Sequence, residues 1–359
     1  MLEEVWGWRP RCVAVLATGG GGDAGSATII ADALRRQGAR VVVAALPWER
    51  YVVDPLPGPV PLSAFRGVEP LGSGLAARAT GGCWALRGGR RLEPAACRAA
   101  GVARWLPFYL LEGWAGPSGV SRGLEEAAGL HGCEAVVVFD VGGDVLACGC
   151  EENLWSPLAD AVGLAAALES GLDPVVAVHS PGADGELGEE EVLSAAAWAA
   201  ARGGYRWVRG LSFLDRGLLE EVLGRVYTEA GRPQLEALRG RWGSMGIRGG
   251  TRLVRVGLVQ ALTLFLDARV AAERAVGGRL VGASSLAEAR ERLNSLGVYT
   301  ELDLEEDVAL YLARAGRLPR GVELLSLRAS GRRRLGPCRA CSVEVSRVHA
   351  GAEDTRNQR

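Results

Sequence analysis

The residues of this 359-residue chain best placed to do chemistry are carboxylates that end apolar runs beside glycines. Three stretches share that layout: TGGGGD (18–23), DVGGD (140–144) and SPGADGE (180–186). Each follows an apolar run and precedes a helical pattern. In an open parallel sheet such loops converge beyond the carboxyl ends of the strands, where ligands bind. Acids brought together there repel one another unless a cation or a proton compensates. Oxygen donors without clustered histidine favour Mg²⁺ or Mn²⁺ over zinc. Asp140, Asp144, Asp184 and Glu186 are therefore the candidate metal ligands, with Asp140 and Asp144 also the candidate catalytic acids. Asp140 stands out because two glycines follow it and nothing structural demands an acid there. Asp23 and Asp184 read equally well as helix caps. Glu151 and Asp160 follow close behind, Asp160 also reading as an ordinary helix-face residue.

The glycines are the second element. Gly19, Gly20, Gly21 and Gly22, and later Gly142 and Gly143, let the backbone approach a ligand closely. Exposed N–H groups at a helix start can hold an anion, with Asp23 beside them. The spacing matches neither the dinucleotide fingerprint, which Gly19, Gly21 and Gly25 follow only loosely, nor a Walker loop. Glu49 in PWERY is a candidate partner for a ribose. His179 is a candidate base or ligand, or a hydrogen-bonded structural histidine. Asn153 either binds ligand or caps a turn. Arg248 and Arg252 in IRGGTR suit a clamp for phosphate or carboxylate, or simply a solvated loop. Thr228-Glu229 and Thr300-Glu301 each follow a helical stretch and fit capping or ligand contact alike.

Composition narrows the chemistry. The chain contains no lysine, so all 41 basic residues are arginine. That excludes a Schiff-base lysine, a pyridoxal-phosphate anchor, a P-loop lysine and the kinase strand lysine. The net charge of −1 offers no broad field for nucleic acid or an anionic membrane. No run of apolar residues spans a bilayer, and the N-terminal MLEEVWGWRPR is unlike a secretory leader, so a cytoplasmic protein is expected. Scarce Asn and Gln suit a thermophile. Of the eight cysteines only Cys338-x-x-Cys341 has ligand spacing, and a zinc site would require Cys148 and Cys150 to join it from far away. Free thiols, or disulfides of a hyperthermophile, are the other readings.

The elements that must position these residues read as a βα alternation. Residues 11–17 (RCVAVLA), 40–46, 134–140 and 174–179 are short Val-rich runs of buried-strand type. A helix between the first two and Gly38 as its stop complete a βαβ unit. Residues 47–61 bring five prolines, a long loop of the kind that covers a site. Further helices are expected over 118–130, 157–169, 189–201, 215–227, 284–296 and 305–315, and a strand over 205–210. One or two short strands are expected over 76–86. Residues 239–252 read as a loop and 253–275 as helix or part strand. The expectation is an α/β fold, Rossmann-like and doubly wound, with a mainly parallel sheet and irregular insertions. It forms a single domain over 1–330, with 115–133 and 230–255 as alternative division points and 331–359 as a loose tail.

TGGGGD with its helix, the LPWER and DPLPGP segment, DVGGD followed by E-x-x-L-x-SPLAD, PGADGEL and the late TE pairs together resemble an uncharacterised, largely archaeal family, domain of unknown function 1152. The resemblance spans roughly residues 11–305 and implies an intracellular archaeal protein; it carries no activity with it. The residues themselves lead to an enzyme acting on a phosphorylated or nucleotide-like small molecule with Mg²⁺ or Mn²⁺. The alternatives are a metal-independent Rossmann-type protein binding a dinucleotide or S-adenosylmethionine, and a non-catalytic binding module. The expected partner is a small anionic substrate, not nucleic acid or membrane, and a homo-oligomer is left open.

Overall fold

The computed structural model describes residues 1–341. A short helix α1 (Leu2–Trp6) leads into β1 (Cys12–Ala17), α2 (Gly21–Arg36) and β2 (Arg40–Ala45). After the proline-rich loop come β3 (Phe65–Pro70), β4 (Ala76–Arg87), β5 (Arg90–Leu92), α3 (Ala95–Val102) and β6 (Phe108–Leu111). The second half starts with α4 (Gly116–Gly129), β7 (Ala135–Val141), α5 (Pro157–Glu169), β8 (Asp173–His179), α6 (Glu189–Ala200) and β9 (Tyr205–Gly210). It continues with α7 (Phe213–Arg225), α8 (Arg232–Leu238), β10 (Gly243–Ile247), β11 (Arg252–Val256) and β12 (Leu262–Asp267). Helices α9 (Ala268–Arg274), α10 (Leu286–Ser295), α11 (Glu301–Ala315) and α12 (Val322–Leu335) complete the described chain.

One ten-stranded sheet organises the molecule in the order β3-β4-β6-β2-β1-β7-β8-β12-β9, with β5 on β4. Its centre, β6-β2-β1-β7-β8, is parallel. Both flanks are antiparallel, through β3, β4 and β5 on one side and β12 and β9 on the other. The sheet is thus mixed, α/β with twelve α-helices among the described residues. From β1 the chain builds outward to β2, and from β7 it builds outward to β8 in the opposite direction. The carboxyl ends of β1 and β7 therefore sit side by side with their following loops diverging. Strand pleating divides the core. Val13, Val15 and Ala17 of β1 pack under α1, α2 and α3, while Ala14 and Leu16 pack under α4, α5, α6 and α9.

Several segments differ from their sequence reading. Residues 239–252 are not one loop: β10 and β11 pair as an antiparallel hairpin whose turn carries Arg248, Gly249 and Gly250, all with positive φ. Glycines at 243 and 246 hide the alternation that would mark a strand. Helix α11 begins at Glu301, because Thr300 and Asp303 form a reciprocal capping box. Helix α12 runs through the point where a loose tail was expected, and Cys338 and Cys341 beyond it are pinned; residues 342–359 lie outside the described residues.

All eight cysteines are paired, as Cys12–Cys133, Cys83–Cys97, Cys148–Cys341 and Cys150–Cys338. The long-range meeting of Cys148 and Cys150 with Cys338 and Cys341 does occur, but as two disulfides rather than a zinc tetrad, so no thiolate is free to ligate. Because these two bonds close almost the same loop, across 193 and 188 residues, either one removes most of the chain entropy. Replacing Cys150 and Cys338 by Ser should therefore change the denaturation midpoint little. Replacing all four cysteines should cost about 2–4 kcal/mol. Equal losses for the two steps in urea titrations would contradict that coupling.

Candidate functional site

The three acidic loops meet. Thr18 donates its N–H to Phe139 O at 3.2 Å, joining the end of β1 to the end of β7. Gly142 donates to His179 O and Gly182 donates to Gly142 O, lacing the 140–144 and 180–186 loops. Oxygens of Asp23, Asp140 and Asp160 lie within 4.8 Å of one another, and so do oxygens of Asp144, Asp184 and Glu186. All six residues are buried. The expected set of Asp140, Asp144, Asp184 and Glu186 is thus divided, Asp140 belonging with Asp23 and Asp160.

Glycine explains how the loops come so close. A Cβ on Gly142 would strike the Asp184 carboxyl, and one on Gly19 would strike the Asp23 carboxyl. Gly20, at φ 93°, passes the Trp48 carbonyl where a side chain would not fit. The Gly19 N–H is taken by Asp23 Oδ2 at 2.7 Å, so this amide serves the acid beside it. Gly21 and Gly22 start α2 against Glu49 and Thr228. Gly143, at φ 122°, turns the chain so that Val145 N–H reaches Asp140 Oδ2 at 3.1 Å.

Asp160 is the residue whose weight sequence reasoning missed. It lies in the first turn of α5 and accepts from Thr18 Oγ1 at 2.6 Å. The signal was present: PLADAVGLAAALE is apolar all round, and a helix with no wet face has nowhere to expose an acid. Ser156 starts α5, but its N–H and Oγ both serve Glu186, at 2.8 and 2.7 Å, as does the Trp155 N–H. The start of α5 is capped from outside, by Glu301 accepting Leu158 and Ala159 N–H. That assigns Glu301 to capping. Thr228 accepts from Gly231 N–H and Glu229 from Arg248 N–H, so this second pair holds local turns.

Electrostatics set the acids apart from ordinary carboxylates. Burial, then neighbouring acids, raises Asp140 and Asp144 well above the usual range, and Asp23 and Asp160 likewise. Asp184 is raised by burial and by Glu186. Glu186 goes the other way: burial opposes ionisation, but Arg252 and Arg50 outweigh it and hold the carboxyl well below its usual value. Both arginines reach the same oxygen, Oε1, at 3.2 and 3.4 Å. Asp144 Oδ1 is buried with no hydrogen-bond partner among the described residues.

Other expected site residues have different employment. The pleat that aims Asp140 to one face of the sheet aims His179, registered opposite Val141, to the other. His179 is fully buried, its Nδ1 on Thr263 Oγ1 at 2.7 Å and its Nε2 on Gln234 Oε1 at 2.6 Å. Burial pushes its pKa down to about 4. The expected catalytic role therefore gives way to a neutral core histidine. Glu49 accepts the Ala95 N–H at 2.7 Å and so completes the start of α3. Asn153 is exposed, outside the acidic group. Arg252 does reach it, on the β10–β11 hairpin, and Arg50 from the proline-rich loop joins it, a residue the sequence did not single out; Arg248, at the hairpin turn, has Glu229 as its acidic neighbour instead, 4.0 Å from Nε. The acids are roofed by these segments; a surface hollow of about 370 Å³ lies toward the other end of α2, lined by Asp32, Arg35, Trp105 and Leu218.

Fold and site together define an α/β protein with a closed acidic crevice at the carboxyl ends of β1, β7 and β8. The chain belongs to the family described as a protein of unknown function (DUF1152), whose model matches residues 14–309. No curated protein and no solved structure matches it. Among the described residues no helix is long and apolar enough to cross a membrane.

The roof has a pH signature. Glu305 accepts from Trp48 Nε1 and the Gly58 N–H, and burial raises its pKa to about 8; Glu301 is raised to about 7. A carboxyl whose folded pKa lies above its unfolded value of 4.5 leaves the fold at full strength below that value, costs stability progressively as pH rises from it, and has exacted the whole cost once the folded value is passed. In EDTA the melting temperature should fall from about pH 5 to about pH 8, and Glu305→Gln should make that fall shallower, most completely above about pH 7 where Glu301 no longer contributes. Parallel profiles for the two proteins would contradict it.

Proposed function

We propose that this protein is an enzyme acting on a phosphorylated or nucleotide-like small molecule, with Mg²⁺ or Mn²⁺ held by its buried aspartates in a Rossmann-like frame. The observation that carries the reading is the pair of carboxylate triads, Asp23–Asp140–Asp160 and Asp144–Asp184–Glu186, each within 4.8 Å. Five of these six carboxyls are driven towards their neutral forms by burial and mutual repulsion. A divalent cation would relieve both costs at once. The orphaned Asp144 Oδ1 is a free donor for it. Hard oxygen donors without histidine suit Mg²⁺ or Mn²⁺. Such an ion can polarise a phosphoryl oxygen or lower the pKa of a water.

Glu186 plays a different part in this reading. Already ionised, and shared between two arginines and the start of α5, it anchors cations of the protein beside the metal ligands. The metal-independent dinucleotide reading has less support, because Glu49, its ribose partner, is committed to α3. A cytoplasmic setting is compatible with four disulfides if the organism is a thermophile.

The reading predicts stabilisation by mass action. Mn²⁺ at a hundred times its dissociation constant should add about 2.7 kcal/mol to the unfolding free energy. Asp140→Asn should abolish that gain in differential scanning fluorimetry, whereas Asn153→Ala should leave it intact. Melting that ignores Mn²⁺ and Mg²⁺ alike would overturn the proposal.

A further inference from the structure

Beside the acids lies a group of arginines that the carboxylates do not satisfy. Arg50 has one acidic contact, Glu186 Oε1 at 3.4 Å. Arg252 shares that oxygen at 3.2 Å and donates to Asp184 O at 3.0 Å. Its guanidinium lies 5.2 Å from the Trp155 ring centroid, and that of Arg328 lies 4.6 Å from it. Arg248 has less still. Among the described residues its hydrogen bonds are made by its backbone, with Glu229 and Thr251. The nearest acid to its guanidinium is Glu229, 4.0 Å from Nε, and that Nε is buried without a hydrogen-bond partner. It is nonetheless held at the hairpin turn in the left-handed region, at φ 54°, which arginine rarely adopts.

The three guanidinium groups feel one another. Burial first, then Arg50 and Arg252, lower the pKa of Arg248. Tyr51 packs in the same cluster as Trp155, and the pKa of its hydroxyl, raised by burial, is eased downward by the same three cations. A protein gathers repelling cations with open donors where an anion completes the arrangement. Glu186 is already used twice, and Glu229 approaches Arg248 no closer than 4.0 Å. The fork of a guanidinium matches two oxygens of a tetrahedral anion.

The geometry points to a receptor for a phosphoryl group, formed by Arg50, Arg248 and Arg252 with Tyr51 at its edge, adjoining the Asp144–Asp184–Glu186 triad. It rests on the reading of this crevice as a phosphate-processing site and deepens it by naming the residues that take the phosphoryl oxygens. The ligand class is a phosphate monoester or diphosphate. The β10–β11 hairpin delivers two of the three cations, so this glycine-rich turn is the specificity element for the anion.

The test uses isothermal titration of the full chain with inorganic phosphate and with pyrophosphate, in EDTA, against chloride at matched ionic strength. Saturable binding of one or both is expected, tighter for pyrophosphate if the ligand is a diphosphate and tighter for phosphate if it is a monoester. Arg248→Asn, which tolerates positive φ, should weaken binding about ten- to a hundredfold, the loss of one or two charge-assisted hydrogen bonds. Arg248→Lys, which keeps the charge without the fork, should fall between. Asp140→Asn should retain phosphate binding while losing the Mn²⁺ response, so the receptor and the metal site fail separately. No saturable binding beyond chloride, or equal affinities for the wild type and Arg248→Asn, would overturn the receptor whatever Mn²⁺ does.

Discussion

Six carboxyl groups share a space from which water is largely excluded, and their mutual repulsion is the constraint around which the neighbouring elements are built. Isolated buried charges are costly enough that they shift their protonation or find partners. Both responses occur here. Asp23, Asp140, Asp144, Asp160 and Asp184 are driven towards the neutral form, while Glu186 is ionised by two arginines and three donors from the start of α5. Every surrounding segment contributes something to this balance. The glycine loops supply backbone N–H groups and allow close approach, α5 supplies Asp160, the proline-rich loop supplies Arg50, and the hairpin supplies Arg252.

The roof over these acids depends on the same chemistry. Glu301 closes the start of α5 and Glu305 holds Trp48 and Gly58, so α11 is tied to both the helix under the acids and the loop above them. The loop preceding α5 is fastened a second time, by Arg328 donating to Glu152 O and Leu154 O at 2.6 Å. Two disulfides then bind Cys148 and Cys150, at the edge of that loop, to the segment following α12. The wall that carries Trp155 and Ser156 is therefore fixed by covalent, ionic and capping contacts together. Such support fixes the place of Trp155 and Ser156, and with it the geometry of Glu186 and its two arginines.

Much of this was legible from residues alone. The strand end bearing Asp140, the glycine-containing loop bearing Asp184 and the tetraglycine bend before Asp23 announced their positions because the period of a buried run and the place of glycine are local properties. Asp144 and Glu186 were found by their distance from those ends. Helix α5 was readable over its whole length, from Pro157 to Glu169, since proline at the first position and an apolar run declare themselves. Membership of the family, too, followed from separated motifs in the order they occur.

What the chain order could not decide was which partner each group would meet. Local sequence puts His179 and Asp140 at equivalent strand ends; only the register of β7 against β8 sends them to opposite faces. Glu49 stands at a plausible offset for a ribose, yet Ala95, far along the chain, claims it. The union of Asp160 with Thr18, of Glu301 with α5, and of Cys148 and Cys150 with Cys338 and Cys341 are contacts across more than a hundred residues. Propensity and spacing determine elements because they act over a few bonds. Pairing of charges and sulfurs is decided by how the finished sheet and its helices bring distant turns to one edge, and that is a property of the packed chain.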